Sequence, residues 1–294
     1  MNYRIHFFSD RRSTISLKRV YEFFDEEDFI YSQHAKYISF RYENKILENK
    51  ASFVFSKHNV IPNIYTLNPG FTNINLFVEF PLIISNFYLN EILTIINQLA
   101  KMFDLYYYMD LNQDIMPFDK DEIFEKLLDY RDRTLAFEEI TRTRGKFLVD
   151  SNKLNELCTY QIDSELLSEY FNGEIDVNKY IVMRNLETDE LALSVVWDIT
   201  RPTVFPKYID YVHVIFEETE LTSIVSAKDI LPKINRFLAM LPNFVEGTKV
   251  LKPGSFIRKA KKVQNKIRKL VISEDDFEII SLMDIIEKRD TSRE

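Results

Sequence analysis

Short runs in which apolar and polar residues alternate recur through both halves of the chain. A period of two is the signature of β-strand, and a polar face in the alternation favours antiparallel sheet with one side in water. The first half holds YRIHFF (Tyr3–Phe8), YISFRY (Tyr37–Tyr42), ASFVFS (Ala51–Ser56) and NINLFVEF (Asn73–Phe80). The second holds KFLVD (Lys146–Asp150), YIVMRN (Tyr180–Asn185), LALSVVW (Leu191–Trp197) and YVHVIFEE (Tyr211–Glu218). Polar turns such as ENKILENK and LETDE separate them.

Helical spacing interrupts the alternation at matching places. Ser13 or Thr14 can cap a helix that carries Ile15, Val20, Phe23 and Phe24. Leu89, Ile92, Leu93, Ile96, Leu99, Ala100 and Phe103 form one apolar stripe, and LYYYM closes the first half as strand. In the second half, SNKLNELCTYQIDSELLSEYF supplies helix in two pieces and SAKDILPKINRFLAML corresponds to the long helix. The series reads β-α-β-β-β-α-β twice. It predicts an α+β fold with mainly antiparallel sheet and an internal duplication. The expected division is a first repeat over 1–110, a helical connector over 111–145, a second repeat over 146–250 and C-terminal helices, basic then acidic, over 251–294. In the connector Asp119 is placed to cap a helix whose first turn holds Asp121 and Glu122.

Only five of 294 residues are Gly, while 24 are Phe and 16 are Tyr. That balance points to a packed core rather than a disordered chain. There is one cysteine, Cys158, which excludes an intramolecular disulfide and a Cys-rich zinc site. No run of about 18 apolar residues occurs, and the N-terminus lacks an apolar leader core. The expectation is a soluble cytoplasmic protein.

Motifs for chemistry are sparse. The scattered glycines form no phosphate-cradling loop, and none of the four histidines (His6, His34, His58, His213) makes a metal-ligand pair. Asp110, Asn112, Asp114 and Asp121 fall at calcium-loop positions one, three, five and twelve. Ile115 stands where Gly is needed, and the bidentate Glu is missing. No catalytic residue, metal or cofactor is expected, and the reading leans away from an enzyme.

Charge carries the remaining signal. The net charge is −8. Of 38 Lys and Arg, seven (Arg258, Lys259, Lys261, Lys262, Lys266, Arg268, Lys269) lie in 255–271 with no acidic residue among them, leaving 31 against 46 Asp and Glu elsewhere. Acidic runs stand at Asp25, Glu26, Glu27 and Asp28, between aromatics, and at Glu217, Glu218 and Glu220. An acidic surface with aromatic anchors suits a basic protein partner. Trp197, beside a Pro-stiffened connection, joins these as a predicted contact residue. The expected function is therefore a non-catalytic binding protein with a basic protein partner, in the form of an inhibitor or immunity protein. The alternative is an anion-binding module that uses 255–271 on nucleic acid or acidic membrane. An enzyme with an unrecognised site is the third reading. Neither the oligomeric state nor the partner's identity is written in these residues.

Overall fold

The computed structural model describes residues 2–25, 29–44, 47–135, 145–216, 222–241, 244, 246–251 and 263–288. The chain divides into two compact units. One contains Met1–Lys146 together with Ile285–Glu294, the other Phe147–Asp284. The fold is α+β with mostly antiparallel strand pairs, as the alternation predicts.

The first unit is built on a seven-stranded sheet. Its strands are β1 (Asn2–Asp10), β2 (Phe29–Gln33), β3 (Tyr37–Asn44), β4 (Asn49–Ser56), β5 (Phe71–Pro81), β6 (Leu105–Tyr108) and β7 (Met116–Pro117). They run in the order β2-β3-β4-β5-β1-β6-β7, and every neighbouring pair is antiparallel. Three helices accompany it: α1 (Leu17–Phe23), α2 (Asn86–Phe103) and α3 (Lys120–Leu135). The stripe read from the sequence buries Leu89, Ile92, Leu93, Ile96, Leu99 and Ala100 of α2 against the sheet. Ser85 caps α2 by accepting the Tyr88 amide at 3.2 Å. Asp119 caps α3, accepting the amides of Asp121 and Glu122 at 3.0 Å each. Ile123 and Leu127, one turn apart, join the same core, so the expected connector helix is part of this unit.

Aromatic residues fill one end of that core. Phe24 stacks on Phe40 at 4.8 Å and meets Phe53 at 5.0 Å, while Tyr21 stands edge-on to Phe55 at 4.8 Å. Near the other end, ordinary strand alternation sends successive phenylalanines of β1 to opposite faces and so to two clusters. Phe7 enters the main core, and Phe8 packs with Ile61, Leu67 and Ile115.

The second unit opens with β8 (Phe147–Val149) and α4 (Ser151–Phe171). The helix is a single 21-residue element, not two pieces. Asp150 caps it by accepting the amides of Asn152 and Lys153 at 3.0 and 3.1 Å. The unit's main sheet contains β9 (Ile181–Asn185), β10 (Leu191–Asp198), β12 (Tyr211–Ile215), β13 (Thr222–Ser226), β16 (Val271–Ile272) and β17 (Phe277–Ile280). Its order is β16-β13-β12-β10-β9-β17. A smaller sheet, β11-β15-β14, joins Val204–Phe205 to Lys249–Leu251 and Leu238–Met240. Gln161 of α4 mimics a neighbouring strand: its amide accepts the Tyr180 N–H at 2.8 Å and donates to the Tyr180 carbonyl at 3.3 Å.

The two sheets do not repeat one another. β4 and β5 pair antiparallel, whereas their expected counterparts β10 and β12 pair parallel. In the first unit β1 fills the place beside β5; in the second β13 lies beside β12. The helix expected over 226–241 is the eight-residue α5 (Ala227–Ile234), which holds Pro232 and runs into a 3-10 turn and then β14. Proline lacks the amide that would continue the ladder. The acidic C-terminal piece also departs from its helical reading. Phe277–Ile280 is strand, paired antiparallel with β9.

Candidate protein-binding surfaces

Two features of the second unit gather carboxylates. Between β9 and β10 the chain makes a tight turn: Asn185 Oδ1 accepts the amides of Glu187 and Thr188, and Asp189 takes a left-handed φ of 61°. The 3-10 turn Glu274–Asp276 lies against it, with the Leu186 amide donating to the Asp276 carbonyl at 2.9 Å. The same turn meets the start of β13, where Thr222 Oγ1 donates to Glu274 Oε1 at 3.1 Å. Glu187, Asp189, Glu190, Glu274, Asp275, Asp276 and Glu278 are thereby collected, and all are exposed. Arg184 lies among them, bonded to Asp189 and, at 3.4 Å, to Glu278.

The expected contact residues divide as follows. Asp25 is exposed, just past the end of α1. Glu26, Glu27 and Asp28 lie outside the described residues, as do Glu217, Glu218 and Glu220, which by sequence precede Thr222 closely. Trp197 is corrected. Its side chain is fully buried, its ring 5.7 Å from Phe205, and Nε1 donates to the Arg201 carbonyl at 3.3 Å. A large aromatic at an inward position of a central strand is a core residue, so it offers no surface for a partner. In the sequence, LETDE reads as a polar turn and Glu274–Asp276 falls in the expected acidic C-terminal helix. Their meeting depends on β17 pairing with β9, a long-range contact without a local signature.

Of the basic run, Arg258, Lys259, Lys261 and Lys262 lie outside the described residues. Val263 and Ile267 are buried, as the apolar stripe predicts, and Lys266 and Lys269 are exposed. Arg268 stands over the Phe216 ring at 5.1 Å.

Among the described residues, no strand pairs with the outer side of β2 in the first unit. The turn that joins β2 to β3 fixes the phase of pairing, because the His34 amide donates to the Tyr37 carbonyl at 2.8 Å. Alternation then makes Ser32–Ser39 and Ile30–Arg41 the hydrogen-bonded pairs. The next ladder agrees: the Lys57 amide donates to the Lys36 carbonyl at 3.0 Å, which turns the groups of Ile38, Phe40 and Tyr42 toward β4. Accordingly, the N–H and C=O groups of Phe29, Tyr31 and Gln33 point away from the sheet. Ile30 and Tyr31 are 44% and 56% exposed.

The first unit also encloses an ion pair. Arg131 and Glu287 are both almost fully buried, 3.5 Å apart. Both Glu287 oxygens accept the Asn86 amide, at 2.8 and 2.9 Å, at the start of α2. The guanidinium also donates to the Ile84 carbonyl at 2.9 Å and to Asn86 Oδ1 at 2.6 Å. Burial pushes the Glu287 carboxyl up, while the Asn86 amide and Arg131 pull it down; burial is the larger influence. Each of these hydrogen bonds ends on the chain itself, so the network is structural.

Two carboxylates of the calcium-loop segment are hydrogen-bonded within the chain in the same way. Asp114 Oδ1 accepts the Asn68 and Ile115 amides, and Asp119 serves α3. Among the described residues no three of His, Cys, Asp and Glu converge as a metal-holding group. The Cys158 side chain is buried. His213 Nε2 lies 3.2 Å from Met183 Sδ. Two surface hollows of the first unit, one at Asp10–Arg12 and Asn68–Phe71, the other at Lys101 and Asp104–Tyr106, have no His, Cys or Ser in their walls. No described helix is long and apolar enough to cross a membrane. Comparison with protein-family models, with curated proteins and with solved structures finds no match.

Proposed function

We propose that this chain is a non-catalytic binding protein that engages a basic protein partner through an acidic surface in the cytoplasm. The observation that carries the reading is the junction of two acidic turns, Glu187–Glu190 and Glu274–Asp276, held by the Leu186–Asp276 hydrogen bond. Seven exposed carboxylates around one arginine make a negative field that steers a cationic partner and weakens with salt. An inhibitor or immunity protein that neutralises a basic effector is the form of activity such a surface suits.

The test is affinity capture from the native cell at low and high salt, using wild type and a variant with Glu187, Glu190, Glu274 and Asp275 changed to Lys. The expected captured proteins have basic isoelectric points, and they are lost both in about 500 mM salt and in the variant. Capture that is indifferent to both would overturn the reading.

A further inference from the structure

We propose that two copies of this chain associate through their β2 strands, antiparallel across a twofold axis at Tyr31, to form one continuous sheet. The proposal is independent of the acidic surface on the second unit.

Three observations lead to it. First, β2 is an unguarded edge. Its sequence FIYSQ contains no charge and no proline, and four of its five residues are exposed. Natural edges are blunted by charge, proline or brevity. The opposite edge follows that rule: β7 has two residues, and one is Pro117.

Second, the outward groups have the right phase for self-pairing. With Tyr31 on the axis, Tyr31 faces its own copy, and Phe29 faces Gln33 of the other chain. These are the three residues whose amides and carbonyls point outward, so all three registers are hydrogen-bonded pairs. Tyr31 would lie beside its twin, an aromatic cross-strand pair.

Third, the strand is electrically bipolar. Asp25 is exposed, and in the sequence the acidic run Asp25–Asp28 immediately precedes Phe29, the first residue of β2. His34 and Lys36 follow the other end, and the Lys57 amide bonds to the Lys36 carbonyl, which brings a second lysine there. An antiparallel twofold sets the acidic end of each copy beside the basic end of the other. A parallel arrangement would oppose like charges. A generic basic strand would meet Lys36 and Lys57 unfavourably, so the second copy is the occupant with complementary ends.

Sedimentation velocity or light scattering of the full chain, over about 1–200 µM in low salt, tests this. The expected result is a monomer–dimer equilibrium. Tyr31→Pro removes an outward amide without touching the ladder to β3 and is expected to weaken association at least tenfold. Tyr31→Lys keeps that amide, sets two like charges on the axis and is expected to do the same should the proline variant fail to fold. Changing Asp25, Glu26, Glu27 and Asp28 to Lys, or Lys36 and Lys57 to Glu, is expected to weaken dimerisation, and the double variant, with both ends exchanged, to restore it. A chain that stays monomeric at 200 µM would overturn the proposal, as would a dimer unaffected by either Tyr31 variant. Failure of the double variant to recover would remove the antiparallel register.

Discussion

At the scale of single residues, His6 and Glu287 show how burial sets protonation. His6 lies on β1 between the rings of Phe77 and Tyr108, at 5.4 and 6.5 Å. Burial lowers its pKa to about 4, with Arg4 acting the same way and Asp110 opposing. The unfolded chain therefore binds a proton at His6 near pH 6.5 that the folded chain refuses until about pH 4. Stability from this residue is present at neutral pH and is lost as pH falls through that window. Urea melts at pH 7.5 and pH 5 should show about 2 kcal/mol of such loss in wild type, and little of it in His6→Phe. Glu287 works in the opposite sense, since its raised pKa favours the protonated folded state as pH falls. The comparison of wild type with His6→Phe isolates the histidine. At neutral pH, Glu287→Ala should cost about 3 kcal/mol, because it removes the buried carboxylate that accepts the Asn86 amide and leaves Arg131 with Asp132 as its remaining ion-pair partner. Replacing both partners with Leu should cost clearly less than the single change, as chemical denaturation can show.

At the scale of elements, local chemistry sets the helix ends and tertiary pairing sets the strands. Asp150, read from the sequence as the end of the strand KFLVD, caps α4 by accepting two amides. Asp150→Ala should cost about 1 kcal/mol, and Asp150→Ser almost nothing, in thermal melts. The stripe of α2 was legible because its repeat of 3.6 is carried by seven large residues in one unbroken run. SAKDILPKINRFLAML looked equally helical, but Pro232 and the demand of β15 for a partner end α5 early and draw Leu238–Met240 into strand. Likewise FEII is strand because β9 has an open side, not because its own residues forbid helix. Trp197 illustrates the same limit. Its type and position at the end of a strand are compatible with a partner contact, and only the packing of Phe205 against it places it in the core.

At the scale of the whole molecule, the first unit is discontinuous in sequence. Ile285, Ile286 and Glu287 are buried and belong with residues 1–146, although the second unit is spelled out in between. A fragment ending at Lys146 therefore lacks the carboxylate for Arg131. It should unfold at lower denaturant than this unit does in the full chain, whereas a fragment of 147–284 keeps every strand of its main sheet. Denaturation of the two fragments, followed by circular dichroism, would show the difference. The sequence by itself determined the α+β class, the antiparallel bias, the long helix, its neighbour's cap and the excess of acid, because period, capping and charge are properties of adjacent residues. Only the tertiary structure decided that the two halves differ in strand order, that two acidic turns meet, that Trp197 is buried and that β2 is left as an open edge. Each of these depends on which distant segment supplies the missing hydrogen bonds and apolar cover, and a backbone amide looks the same in the sequence whether its partner is four residues away or a hundred.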